Sequence, residues 1–348
     1  MNTISTPEEP PLSSYILTVI AAFLGWTLDA FDFYAVSLTL TDIARDFNTT
    51  TPAIAGALTV SLMLRPVGAV IFGLLADKYG RRIPLMIDIV LYSGFSLASA
   101  FAGNLTQFLV IRALFGIALG GEWGLGAALL MESVPTNKRG LFSGILQQGY
   151  ASGCLLATLV YYAVVPTYGW RAMYYIGASP SILVILIRFF VPESKSWYDE
   201  IWRYNENLLI TLSREDQQKR AAEGSFWTLV KDAFKSNLWL TLYCVILMTA
   251  FNSFSHGSQD LYPTFLKKQK LFNEWDTTVT VVISQIGALT GGIISGIWSQ
   301  RFGRRRMVMV CALLVLASIY PWSYSESLAS LRTAAFFLQQ VAVQFSLT

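Results

Sequence analysis

Histidine occurs once in the 348 residues, as His256, and cysteine three times, as Cys154, Cys244 and Cys311. One imidazole and three scattered thiols give no paired or metal-ligand spacing, so neither a disulfide framework nor a metal centre is expected. Charge is scarce too. Asp, Glu, Lys and Arg make up 14% of the chain against 54% hydrophobic residues, whereas a soluble domain carries about 25% charge. That balance excludes an ordinary soluble fold. The formal net charge of +3 is small, and Lys and Arg gather between apolar blocks, which argues for membrane topology rather than nucleic-acid binding. The sequence holds no phosphate-binding glycine loop and no nucleophile–base pair, so neither an enzyme nor a cofactor is expected. The first 14 residues are polar, with Glu8, Glu9 and prolines but no basic run, so no cleavable signal peptide is expected.

The apolar residues come in blocks of about the 20 residues that a helix needs to cross a bilayer. They lie near 15–40, 53–76, 84–103, 107–131, 141–165, 171–191, 238–266, 277–299 and 307–322, and a tenth begins at about Leu331. The expected fold is therefore an all-α polytopic membrane protein, with lipid as its surroundings. After Arg332 the chain reaches Thr348 without another charge, so the last span is expected to be cut short. Loops 77–83, 132–140, 192–237 and 300–306 hold sixteen Lys and Arg against five in the alternate loops. That bias places the first set and the N-terminus in the cytoplasm. Four parts follow: a tail over 1–14, six spans over 15–191, a polar linker over 192–237, and an incomplete bundle of about four spans over 238–348.

The stretch Asn252-Ser-Phe-Ser-His-Gly-Ser-Gln-Asp-Leu-Tyr-Pro-Thr264 lies in the seventh block. Asn252, His256 and Asp260 fall at i, i+4 and i+8, one polar stripe on a helix. Such groups in a lipid-length helix are expensive unless they face protein or a wet cavity, which marks a transport pathway. The bland alternative is polar glue between helices. Histidine is the one side chain that ordinarily titrates near physiological pH, so His256 and Asp260 are candidates for a site that shares one proton. The competing reading is that Asp260 only fixes the imidazole for packing. Further intramembrane charges are Asp29, Asp32, Arg65, Arg112 and Glu122. Arg65 or Arg112 could offer a carboxylate a bidentate fork. Arg65 lies deeper in its span, and Arg112 has the alternative of snorkelling at a helix end. Glu122 reads as a counter-ion to an arginine or as a second proton site. Asp29 is placed to pair with Arg65.

The segment Gly73-Leu-Leu-Ala-Asp77-Lys-Tyr-Gly80-Arg81-Arg82 recurs in degenerate form as Gly296-Ile-Trp-Ser-Gln300-Arg-Phe-Gly303-Arg304-Arg305, shifted by 223 residues. The same shift carries Asp29 onto Asn252 and Asp32 onto Ser255. Spans one and seven are thus equivalent helices of two halves, and parallel repeats of this kind bind substrate at mid-membrane between the halves. The Gly-x-x-x-Asp-x-x-Gly-Arg-Arg loop resembles the hallmark of the major facilitator superfamily. The resemblance implies a six-plus-six plan, with the C-terminal half incomplete here. It also implies a gating role for Gly73, Asp77, Gly80, Arg81 and Arg82, whose ion pairs would close in one state and open in the other. The plainer reading is that the arginines only set topology.

Asn252, Ser255, His256, Ser258, Gln259, Asp260 and Thr264 fill a pattern that resembles fungal lactate and pyruvate permeases of the sialate:proton symporter branch. That resemblance implies proton-coupled uptake of short monocarboxylates such as lactate, pyruvate or acetate across the plasma membrane. It further implies that Asn252, His256 and Asp260 matter for affinity and transport. The expected partners are a small carboxylate and a proton. Pro192-Glu-Ser-Lys-Ser-Trp197 resembles the sugar-porter branch and keeps a neutral substrate in view. A larger organic acid, or a truncated product that senses or does nothing, are the other readings.

Overall fold

The computed structural model describes residues 15–179, 259–325 and 327–345, with positions 182, 186, 191 and 193 and scattered positions from 238 to 250. The tail 1–14, the linker apart from Glu193, and Asn252, Ser255, His256 and Ser258 lie outside the described residues. The chain divides into two compact units, Met1–Ser194 with Ser258–Thr348, and Lys195–Gly257. The described positions of the second unit are all helical.

In the first unit the helices are α1 (Ile16–Asp46), α2 (Thr51–Tyr79), α3 (Arg82–Ser99), α4 (Leu105–Ser133), α5 (Arg139–Tyr168), α6 (Arg171–Ala178), α7 (Tyr262–Lys268), α8 (Glu274–Phe302), α9 (Arg304–Tyr324) and α10 (Leu328–Phe345). No strand occurs among the described residues, as the hydrocarbon rule requires: backbone polar groups must be satisfied within the segment. The helices overrun the apolar blocks at both ends. Charged and polar residues such as Arg45, Lys78 and Glu274 stay helical, because at a bilayer edge water and caps can satisfy the terminal groups. Asn104 and Gln107 form a reciprocal cap on α4. The Gln107 N–H donates to Asn104 Oδ1 at 2.9 Å, and the Gly103 N–H donates to Gln107 Oε1 at 3.0 Å. Asn273 caps α8 by accepting from the Asp276 N–H at 2.7 Å.

The repeat seen in the sequence extends to whole helices. Shifted by 223, α2 falls on α8 with identical bounds, and the start of α4 falls on the start of α10. Pairings repeat as well: α2 packs on α4 and α3 on α4, α8 on α10 and α9 on α10. Gly80 and Gly303, the matching glycines of the two loops, have φ of 90° and 85°, the region where a Cβ is penalised. α5 packs on α8, and α7 touches α1, so both halves meet within this unit.

Small residues set the tightest seams. On α4, Gly116 lies against the Ser61 backbone and Gly120 against the Arg65 carbonyl of α2. On α5, Gly153 lies against the Thr27 carbonyl of α1. Helices in lipid associate by such close packing, because lipid is as apolar as the side chains. Large apolar residues on α2, among them Met63, Val67 and Val70, point outward, as lipid contact allows.

A Gly116→Val chain is expected to lose this seam. Its Cβ would run into backbone, not a mobile side chain, and overpacking costs roughly 1–3 kcal/mol or more. Gly124→Ala, where a Cβ meets nothing within 4 Å, should be neutral. Size-exclusion profiles of detergent-solubilised protein check both: a monodisperse Gly116→Val peak at normal yield contradicts the packing account.

Candidate functional site

The N-terminal half encloses charge. Asp29 and Asp32 of α1, Asp88 of α3, and Arg112 and Glu122 of α4 are all buried. Asp29 has Arg65, Glu122, Asp32 and Arg112 as electrostatic neighbours, so three helices, α1, α2 and α4, direct charge at one region. Arg65 Nη2 stands 3.8 Å from Asp29 Oδ2 and remains 21% exposed. Its guanidinium carbon lies 5.7 Å from the Phe33 ring centroid. That pair is loose, which leaves most of the fork available.

Arg112 differs. It is fully buried, with its guanidinium stacked 3.7 Å over the Phe115 ring and within electrostatic reach of Asp32. The snorkelling alternative does not hold for this side chain. Ser61 Oγ donates to the Arg112 carbonyl at 2.8 Å and ties α4 to α2. Asp32 lies beside Ser96, and Gly177 of α6 leaves the space its carboxylate fills.

The second cluster joins the halves. Ser37 Oγ donates to the Asp260 carbonyl, and Tyr34 OH donates to the Gln259 carbonyl at 3.3 Å. Tyr150 OH lies 3.5 Å from Asp260 Oδ1. Ser37 and Asp260 are themselves separated by 223 residues, so equivalent positions of the two halves touch, as expected where a pseudo-twofold axis passes. Gln148, with its amide turned to donate, reaches the Ala288 and Leu289 carbonyls of α8 at 3.2 Å each. Gln259 is helical, Asp260 and Leu261 form a turn, and α7 begins at Tyr262 with Pro263 in its first turn, where a missing N–H costs nothing. Thr264 therefore sits half-buried on α7, beyond the break. Interrupted helices in lipid expose backbone groups only where protein or a cavity receives them, and here Tyr34 and Ser37 receive two carbonyls.

One end of the cluster is closed by a relay. Lys267 Nζ donates to Tyr161 OH at 2.9 Å, and Tyr161 OH donates to Asp42 Oδ2 at 3.1 Å. Lys268 Nζ reaches Thr51 Oγ1 at 2.8 Å. Lys267 lies just past the expected span, and burial pulls its ammonium below the usual lysine range, opposed by Glu274 and Asp42.

The loop after α2 is at the other end. Arg81 pairs with Asp77 and with Glu132, each at 3.3 Å. Glu193 accepts from the Arg81 N–H at 2.9 Å and the Arg82 N–H at 3.0 Å, a carboxylate at the N-terminus of α3. The carboxylate occupies the space a Cβ at Gly80 would need. Gly73 borders open space. These contacts lie within the N-terminal half, so they brace it.

Sequence reasoning offers Gln147, Gln148 and Tyr150 of span five as cavity-lining candidates, but leaves out Asp88, Tyr34, Ser37, Asp42, Tyr161, Glu132 and Glu193 as partners. Asp88 carried a signal, a lone charge in an apolar span. Tyr34, Tyr161 and Ser37 carried none, because such residues are ordinary in membrane helices.

The sequence profile of the Major Facilitator Superfamily matches residues 17–343. A carboxylic acid transporter protein homolog of Saccharomyces cerevisiae is 28% identical over 321 residues, which is 91% of this chain and 52% of that protein. The chain thus spans about half the length of this relative. A niacin transporter of Acinetobacter baylyi is 35% identical over 326 residues, covering 88% of this chain and 72% of that protein. The xylose transporter of E. coli, in a partially occluded inward-open conformation, superposes with a TM-score of 0.75 at 18% identity. The match covers 96% of this chain and 83% of that one, and it bears on the fold alone. With its all-helical repeat and its spacing of intramembrane charge, this multi-pass membrane chain belongs to the Major Facilitator Superfamily.

Proposed function

We propose that the chain works as a secondary transporter that carries small carboxylic acids together with protons. Short monocarboxylates such as lactate, pyruvate or acetate are the substrates implied by the span-seven pattern, and the likeness to fungal lactate permeases of the sialate:proton symporter branch rests on the same residues. One observation carries the reading. Asp260, the last carboxylate of that pattern, is buried at the junction of the halves beside Tyr150 and Ser37. A group that gains and loses a proton there would bias which side opens. Arg65 supplies the substrate anchor, since its ion pair with Asp29 is long, at 3.8 Å, and its side chain stays 21% exposed. The relatives in yeast and Acinetobacter, described as handling a carboxylic acid and niacin, support the substrate class. In this proposal the membrane is the plasma membrane, with the N-terminus and the basic loops inside.

The test is uptake of labelled lactate, pyruvate and nicotinate by carrier-deficient cells that display the chain at the surface. Acid outside should raise uptake, and a protonophore should abolish accumulation. Surface-localised protein that takes up none of these acids at either pH overturns the reading, and uptake of labelled xylose instead would move it to a sugar.

A further inference from the structure

The N-terminal half carries an aromatic face that neither proton coupling nor anchoring of a carboxylate requires. Trp26, Asp29 and Phe33 follow at i, i+3 and i+7 on α1 and share one side of it. Tyr150 of α5 and Trp123 of α4 close round the Trp26 ring, with centroids 5.7 and 6.4 Å away and planes tilted by 38° and 49°. Those separations lie in the range where aromatic rings pack favourably. Gly149 holds the arrangement in place: a Cβ there would stand 2.9 Å from the Phe23 carbonyl and 3.0 Å from the Trp26 ring.

Two features point to a ligand. Trp26 is only 7% exposed, yet its Nε1–H has no hydrogen-bond partner among the described residues. Tryptophan N–H groups that are buried usually find an acceptor. Trp123 is 40% exposed, and its Nε1 has only a long 3.5 Å contact with Gln147 Oε1. Arg65 approaches the same face through Asp29 and Phe33. Asp29 is three residues beyond Trp26, about 4.5 Å along the helix axis. A carboxylate on Arg65 would therefore lie about one helical turn from the Trp26 indole.

We infer that this face selects acids with an unsaturated ring beside the carboxylate. The carboxylate sits on Arg65, the ring lies against Trp26 and Trp123, and a ring nitrogen or hydroxyl accepts from the Trp26 Nε1–H. A three-carbon acid that reaches Arg65 leaves the indoles untouched. This rests on the reading of the chain as a carboxylate transporter, but it assigns the choice of acid to α1 and α4 rather than to span seven.

The experiment is thermal melting of the purified full chain in detergent with benzoate, pyridine-3-carboxylate, cyclohexanecarboxylate or lactate. A ligand that binds only the folded state raises the melting temperature. The two aromatic acids should act at concentrations about tenfold or more below lactate and cyclohexanecarboxylate. Trp123→Ala should bring all four to one level while the melting temperature of the ligand-free protein stays put, since this side chain is partly exposed. Trp26→Phe keeps a ring and should remove only the advantage of pyridine-3-carboxylate over benzoate. Equal half-saturation for the four acids, or selectivity unchanged in Trp123→Ala, overturns the inference. If Trp123→Ala cannot be purified, benzoate against cyclohexanecarboxylate on the parent chain decides by itself. Selective binding without uptake would remove the transporter reading and leave this one. Proton-driven lactate uptake without ring selectivity would do the reverse.

Discussion

Asp260→Asn is expected to abolish accumulation of substrate against its gradient while leaving exchange across the membrane in place. Asn keeps the shape and an acceptor for Tyr150 OH, which lies 3.5 Å from Oδ1, and it does not touch the backbone carbonyl that Ser37 holds. What it loses is the ability to take up and release a proton. Without a proton that moves with substrate, the carrier can only equilibrate. One pH unit across the membrane is worth about 1.4 kcal/mol, or about tenfold in concentration for each proton carried. The parent chain should therefore hold labelled acid at about that ratio per pH unit, and Asp260→Asn should hold it near one. Counterflow of labelled against unlabelled acid separates the two failures. Exchange retained with accumulation lost supports a proton site at this position. Exchange and accumulation lost together mean that Asp260 serves substrate binding or packing, and unchanged accumulation sinks the proton role outright. His256→Ala is the companion experiment, with the same expected split.

Much of the architecture was legible in the sequence, and for a physical reason. A helix in lipid must be long and apolar, so composition alone marks the spans, and a repeat of 223 residues aligns whole helices because each half solves the same packing problem. The loop around Asp77 and Arg81 could be read because its glycine and arginines recur. Long-range contacts could not be read. Tyr34 and Ser37 gain meaning only when residues 259 and 260 arrive beside them, and nothing in their local sequence announces that. Arg112 shows the opposite problem: position along a span left a snorkelling end and a buried interior equally open, and packing over Phe115 decided it. Glu193 was visible as part of a sugar-porter-like segment, but its contacts with the Arg81 and Arg82 N–H groups give it a bracing task that needs no sugar. The break at Asp260–Leu261 was half visible. Pro263 signals an interruption, while the side on which the helix stops depends on which carbonyls find donors.

Removing Lys267 should open the end of the bundle that lies away from the arginine-rich loops. There the Lys267–Tyr161–Asp42 relay ties α7 to α5 and α1, and each step joins a charged group to a hydroxyl. Hydrogen bonds of that kind contribute about 1.5–3 kcal/mol, so Lys267→Met is expected to shift the balance between closed and open states about 30-fold, the equivalent of ~2 kcal/mol. Tyr161→Phe removes both hydrogen bonds but leaves the ring and its 4.6 Å contact with the Lys267 ammonium, so its shift should be smaller. The readout is a single cysteine in place of Ser37, which is buried under the Asp260 carbonyl, in a chain whose three native cysteines are replaced by serine. A membrane-impermeant thiol reagent should label this cysteine slowly in the parent and faster in Lys267→Met, with Tyr161→Phe between them. Transport should fall in the same order, because a carrier that rarely closes one end rarely completes a cycle. Equal labelling in all three chains would mean that contacts such as those of Tyr34 and Gln148 hold the halves together without the relay, and that Lys267 serves only to anchor the end of its helix.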